Sequence, residues 1–302
     1  MLLTALTGFY LMFNFWNYAA GDFLEKHSRL FRNDFAKIPD IQRSTFSFID
    51  VPLERTGGVI SFALLNVLLL IFIITFNYEQ FFENQQVVQN LSAETHERVN
   101  AVILSIVMAI GLIMFYFKGG FNFDAKAKTL KTLAIVWIVL NGILVLSAFA
   151  KNTEYIWQTG MLTYKRLGVY AFLILSLVGL FYTFFKIRNR KTNAFLFNRM
   201  FWWFFGTLLV CSWLNWGGII THYNISCADF DVEYHLYNVE FNRNLLKKHA
   251  DNNEALLEKI NNQIWAEYFS NSRREQFLSK IIYYETVNYD AKNAANIPSA
   301  AN

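Results

Sequence analysis

His222, Cys227, Asp229, Asp231, Glu233 and His235 fall within one short stretch of the chain, and every one of these side chains can ligate a metal ion. Zinc sites draw their ligands at tight spacings such as C-x-x-C or H-E-x-x-H, and neither spacing occurs here. Asp229, Asp231 and Glu233 alternate with Phe230, Val232 and Tyr234, a pattern that a helix cap or a short extended segment explains. No metal site is therefore expected. His96-Glu97 also fails as a zinc-protease helix, because Asn100 stands where the second histidine would be.

Tyr164, Lys165 and Arg166 form a second group with chemical potential. They precede a long apolar run. Long cationic side chains at such a place anchor to phosphates at the interface, so the group is a candidate for binding a lipid headgroup or another anionic ligand. A third set consists of the amides Asn66, Asn141 and Asn215, with Asn14 and Asn17 in an earlier run. Amides within apolar helices join neighbouring helices by hydrogen bonds, and helix-to-helix polar contact is the expected role. A polar substrate pocket is the sharper alternative. No Gly-rich phosphate loop, nucleophile elbow or supported pair of carboxylates occurs, so the chain is not expected to be an enzyme, and no cofactor is implied.

The elements that carry these groups follow from composition. Of 302 residues, 54% are hydrophobic and 17% charged, against about 25% charged in soluble domains. Crossing a bilayer takes roughly 20 mostly apolar residues. Six uncharged stretches meet or approach that length: 2–20, 57–77, 99–117, 132–150, 167–185 and 200–221. The fold class is an all-α integral membrane protein with about six transmembrane helices and a small helical C-terminal tail. Residues 1–223 form the transmembrane domain and 224–302 the polar tail. In the tail, Asp231 caps a helix beginning at Val232, a second helix covers about 253–269, and a third about 272–289.

The spans hold no ionisable group at mid-depth, and the prolines Pro39, Pro52 and Pro298 all lie outside them. Proton relays and broken transporter helices use such features, so transport is weakened as a reading. Lys and Arg concentrate in the first, third and fifth loops, which hold fifteen against four in the second and fourth. By the positive-inside rule the odd loops are cytoplasmic. The tail then faces the periplasm of a bacterial inner membrane. The net charge of +4 is dispersed, with no nucleic-acid surface. Met1 opens on an apolar run without a basic n-region, which argues against a cleaved signal peptide and for a C-terminal portion of a longer protein.

Three motifs carry a resemblance. They are Thr95-His96-Glu97-Arg98-Val99-Asn100, then Leu162-Thr163-Tyr164-Lys165-Arg166-Leu167-Gly168-Val169, then Thr221-His222-Tyr223-Asn224 followed by Asp231-Val232-Glu233-Tyr234. From about Leu91 to Tyr237 the chain resembles a bacterial multi-pass membrane family of unknown function (domain of unknown function 4153/4173), in its Bacteroidetes-like form. Met161 and His222 depart from the family's usual Gly and Arg. The resemblance implies architecture and no chemistry. The expected function is a non-enzymatic scaffold, sensor or assembly partner, with membrane lipids around it and a protein partner on the tail. The alternative is a transporter or lipid-handling protein using the buried amides and the Tyr164 to Arg166 group. The oligomeric state is left open.

Overall fold

A computed structural model describes residues 32–41, 44–45, 49–82, 88–227, 230–250, 253–272, 281 and 283. The first expected span, 2–20, and most of the third tail helix lie outside the described residues. Among these residues nine α-helices and no strands occur: α1 Val51–Phe82, α2 Val88–Tyr116, α3 Lys128–Thr159, α4 Tyr164–Arg188, α5 Asn193–Trp213, α6 Trp216–Ile225, α7 Val232–Asn238, α8 Arg243–His249 and α9 Glu254–Ser272. Helices α1 to α5 contain five segments long and apolar enough to cross a membrane. The chain is an all-α, multi-pass membrane protein.

The spans are apolar on every side, so burial in them follows helical spacing and not hydrophobicity. In α1, Phe62, Asn66, Leu69, Ile73 and Phe76 are buried and recur every three or four residues, one stripe of a helix. Leu64, Val67, Leu68 and Ile71 on the other faces are exposed, as suits a surface solvated by hydrocarbon. In α2 the same spacing buries Val102, Ile106, Ala109 and Ile113.

The chain forms two compact units, Met1–Lys151 with Ala171–Leu208, and Asn152–Tyr170 with Leu209–Asn302. In the first unit two amides join spans. Asn66 Nδ2 donates to the Leu133 carbonyl of α3 at 3.0 Å. The Ser105 hydroxyl of α2 donates to Asn141 Oδ1 at 2.9 Å, while Asn141 Nδ2 donates to Trp137 O of its own helix. Gly58 permits a close crossing, since a Cβ there would lie 2.8 Å from the Tyr116 ring.

Lys186, counted as a loop cation from sequence, lies inside α4 and is fully buried. Its Nζ donates to Phe117 O at 2.7 Å, and Asn122 Nδ2 donates to the same oxygen at 2.7 Å. Phe117 follows the last turn of α2, where unpaired carbonyls gather partial negative charge that a cation offsets. Nearby, Arg55 pairs with Asp124 at 2.7 Å.

The last expected span, 200–221, folds as two helices. Helix α5 ends at Trp213, and Asn215 caps α6 by accepting from Gly218 N. Asn215 Oδ1 supplies the acceptor that an N-terminal amide lacks, which favours a new helix over a continued one. Only Ala194, Phe195 and Leu196 are buried in α5, and the remainder is largely exposed around its circumference.

Candidate functional site

The second unit brings residues of the second and third motifs together around Asn224. A turn, 160–163, joins α3 to α4, and Gly160 takes φ +61 there, a conformation that glycine adopts without strain. Asn224, in the last turn of α6, clamps this turn through its side chain. Its Oδ1 accepts from Leu162 N at 2.8 Å and its Nδ2 donates to Leu162 O at 2.9 Å. The amide thus pairs with Leu162 as a neighbouring strand would.

The second Nδ2 hydrogen reaches His235 Nε2 at 2.8 Å. Since Nε2 must accept, Nδ1 carries the ring hydrogen, and it donates to Asp231 O at 2.7 Å. This His235 is neutral. Asp231 caps α7 by accepting from Tyr234 N. The His235 carbonyl in turn accepts from Asn242 Nδ2 at 2.9 Å, and Asn242 Nδ2 also donates to Thr221 Oγ1 at 2.9 Å.

Arg243 extends the network to α9. It is 2% exposed, and its Nε donates to Glu267 Oε2 at 3.1 Å while Nη2 pairs with Glu267 Oε1. Nη1 donates to Asn242 Oδ1 at 3.0 Å. Apolar residues seal both sides: Ile156, Leu162, Ile220 and Val239 on one, and Leu236, Leu246, Ile260 and Ile264 on the other. Gly217 is required for the approach of the α7–α8 connection, because a Cβ there would lie 1.7 Å from Glu240 O. Phe241 takes φ +58, and its carbonyl is held by Asn215 Nδ2 at 2.9 Å.

Burial lowers the His235 pKa below the ordinary 6.5, against a smaller upward pull from the Asp231 carbonyl and charge. Between the lowered value and 6.5 the unfolded chain binds more protons than the folded one, so stability falls as pH falls. A protonated Nε2 would also face the Asn224 donor. The melting midpoint of the second unit should be highest above about pH 6.5 and drop on acidification through that window. His235→Asn should flatten this dependence in thermal melts at pH 7.5 and 5.5; an unchanged slope would contradict the assignment.

Tyr164, Lys165 and Arg166 open α4, and the structure places them in different surroundings. Tyr164 and Lys165 are exposed, whereas Arg166 is 4% exposed. Its guanidinium carbon sits 3.5 Å from the Tyr155 ring centroid. Its backbone carbonyl accepts from Asn152 Nδ2 at 3.3 Å. Among the other sequence candidates, His222 and Cys227 line an open groove on α6 with Asn215, Gly218, Ile219, Tyr223 and Ser226. Asp229 lies outside the described residues. Among the described residues no group of three or more His, Cys, Asp or Glu side chains could hold a metal ion.

The model of a family described as "Domain of unknown function (DUF4153)" matches residues 2–242. The chain belongs to this family. The DUF4153 match includes Leu162, Asn224, Asp231, His235 and Asn242, and it ends one residue before Arg243. No curated protein and no solved structure matches the chain. Within the matched range, Asn224 at the end of the Thr221 to Asn224 stretch clamps Leu162 at the start of the Leu162 to Val169 stretch. Sequence reasoning quoted Asn224 without a role and missed Asn242 and Arg243 altogether. For Asn224 the one local signal was its place at the end of the Thr221-His222-Tyr223-Asn224 stretch. For Asn242 and Arg243 there was none.

Proposed function

We propose that this DUF4153 chain is a non-enzymatic membrane scaffold or assembly partner whose C-terminal helical unit receives another protein. The observation that supports this reading is the internal use of polar chemistry. Asn224, Asp231, His235, Asn242 and Arg243 all hold one part of the second unit to another. Such a network fixes a shape, and shape is what a protein partner recognises. The exposed side of α9, with Glu254, Glu258, Lys259, Asn262 and Phe269, offers mixed charge and one aromatic ring to that partner.

The Lys and Arg bias of the loops supports an inner-membrane protein whose tail faces the periplasm. The exposed Trp157, Trp213, Tyr223 and Tyr237 of the second unit have the amphipathic rings that gather at headgroup depth. Photo-crosslinkers at Glu258 and Asn262, followed by purification and mass spectrometry, test the reading. One partner recovered at both positions, and lost when Phe269 is replaced by Glu, is the expected result. Absence of any reproducible adduct in intact cells would overturn it.

A lipid-handling role is the second reading, and Arg166 favours it. Proteoliposomes should then move lipid between leaflets faster than protein-free vesicles, and equal rates would exclude the role.

A further inference from the structure

Arg166 is a buried cation whose charge is not neutralised within the described protein. Its guanidinium makes neither an ion pair nor a hydrogen bond with any described residue; its recorded contacts are the Tyr155 ring and two backbone bonds. A cation–π contact strengthens when desolvated, but a ring face leaves the guanidinium's in-plane N–H donors unsatisfied, and an ion out of water is penalised unless it is paired. The ring alone does not meet both needs, so a counter-charge from beyond the described residues is called for.

Three features around Arg166 specify the counter-charge. First, Arg166 lies in the opening turn of the 25-residue helix α4, where the leading N–H groups point away from the helix and the macrodipole is positive. Thr163 satisfies part of that turn: Arg166 N donates to its Oγ1 at 3.4 Å and Leu167 N to its carbonyl at 3.1 Å. The N–H groups of Tyr164 and Lys165 precede these. Second, the Lys165 side chain is exposed beside them and adds a mobile positive charge. Third, Asn152 Oδ1 is buried and accepts no hydrogen bond. The orientation of that amide is fixed, because its Nδ2 donates to the Arg166 carbonyl. The vacant acceptor therefore sits against the backbone of the same arginine.

A planar guanidinium matches two oxygens of a phosphate, helix N-termini bind the same group, and a vacant acceptor calls for a hydroxyl donor. We propose that Arg166, with the first turn of α4 and Asn152, binds a phosphate group that carries a neighbouring hydroxyl. A glycerophosphate headgroup of a lipid and a free phosphate share this chemistry. The anion takes the guanidinium edge, Tyr155 holds its face, and the hydroxyl donates to Asn152 Oδ1. Such a site goes beyond the scaffold reading and does not depend on lipid movement.

The test uses the full chain, purified and delipidated in a neutral detergent, with thermal unfolding as readout. The probes are inorganic phosphate, short-chain phosphatidylglycerol and short-chain phosphatidylcholine. Phosphatidylglycerol should raise the midpoint with saturable dependence, phosphate should do so more weakly, and phosphatidylcholine should have the least effect. A response to phosphate equal to that of phosphatidylglycerol assigns the site to free phosphate. Arg166→Met should abolish the response, and Arg166→Lys, which keeps the charge without the fork, should weaken apparent affinity about tenfold. Asn152→Leu should equalise phosphatidylglycerol and phosphate. No midpoint shift of the unmodified chain with either anion overturns the proposal whether or not the variants fold, and so does an undiminished response in Arg166→Met.

Discussion

Asn224→Leu is expected to destabilise the second unit by about 3–5 kcal/mol, the largest effect of any uncharged substitution in it. The substitution keeps the volume and removes the amide. Leu162 N, Leu162 O and His235 Nε2 each lose their partner. Stranding a buried polar group costs about 1–3 kcal/mol, and three are stranded within a sealed layer. Limited proteolysis at the 160–163 turn, together with the loss of near-UV signal from Trp216 and Trp265, would report the change. A melting midpoint indistinguishable from that of the unmodified chain would sink the clamp. Asn224→Asp gives a sharper check through its sign. A carboxylate facing Nε2 favours the protonated ring, so this variant should gain stability on acidification where the parent loses it.

Arg243→Met should cost a similar amount, about 3–5 kcal/mol, by leaving Glu267 without its cation. Glu267 has 15% of its side chain exposed, and Arg243 satisfies both of its oxygens. The loss also frees Asn242 Oδ1 and loosens the α7–α8 connection. Adding Glu267→Leu to Arg243→Met should recover most of the stability, because two apolar side chains replace a pair and no charge is stranded. Chemical denaturation of the single and double variants decides this. Purely additive losses would mean that the two side chains do not act as a unit.

The five described spans were legible because each contains an uncharged run near the length that a bilayer demands. Their ends were not. Arg166 and Lys186 flank the run 167–185 and were counted with the loops, yet α4 extends to Tyr164 and Arg188 and buries both. A hydropathy reading stops at the first charge, while a helix stops where its backbone finds a cap. The break between α5 and α6 was hidden for a related reason. Asn215 stands inside an apolar run, where the same amide can bridge helices or begin one, and only its encounters with Gly218 and Phe241 decide between them. The Asn224 clamp was hidden by distance, since Leu162 lies 62 residues away. The Asp231 cap was legible because capping is local. The amides Asn66 and Asn141 were legible as polar groups in apolar helices, although their partners were not.

Helix α5 buries only its first turn, at Ala194, Phe195 and Leu196, where Asn193 Nδ2 donates to Met114 O at 3.1 Å. Farther along, Trp203 Nε1 donates to the Tyr182 hydroxyl at 3.2 Å and Cys211 O accepts from Trp216 Nε1 at 2.6 Å. Its 21 residues reach about 31 Å at 1.5 Å per residue, close to the hydrocarbon thickness of an average bilayer. Most of its circumference is exposed to acyl chains, and a span in that setting answers a mismatch in bilayer thickness by tilting. Thin bilayers favour a leaning α5 and thick ones an upright one, and among the described spans it has the smallest buried share, so acyl-chain length acts on more of its surface than on theirs.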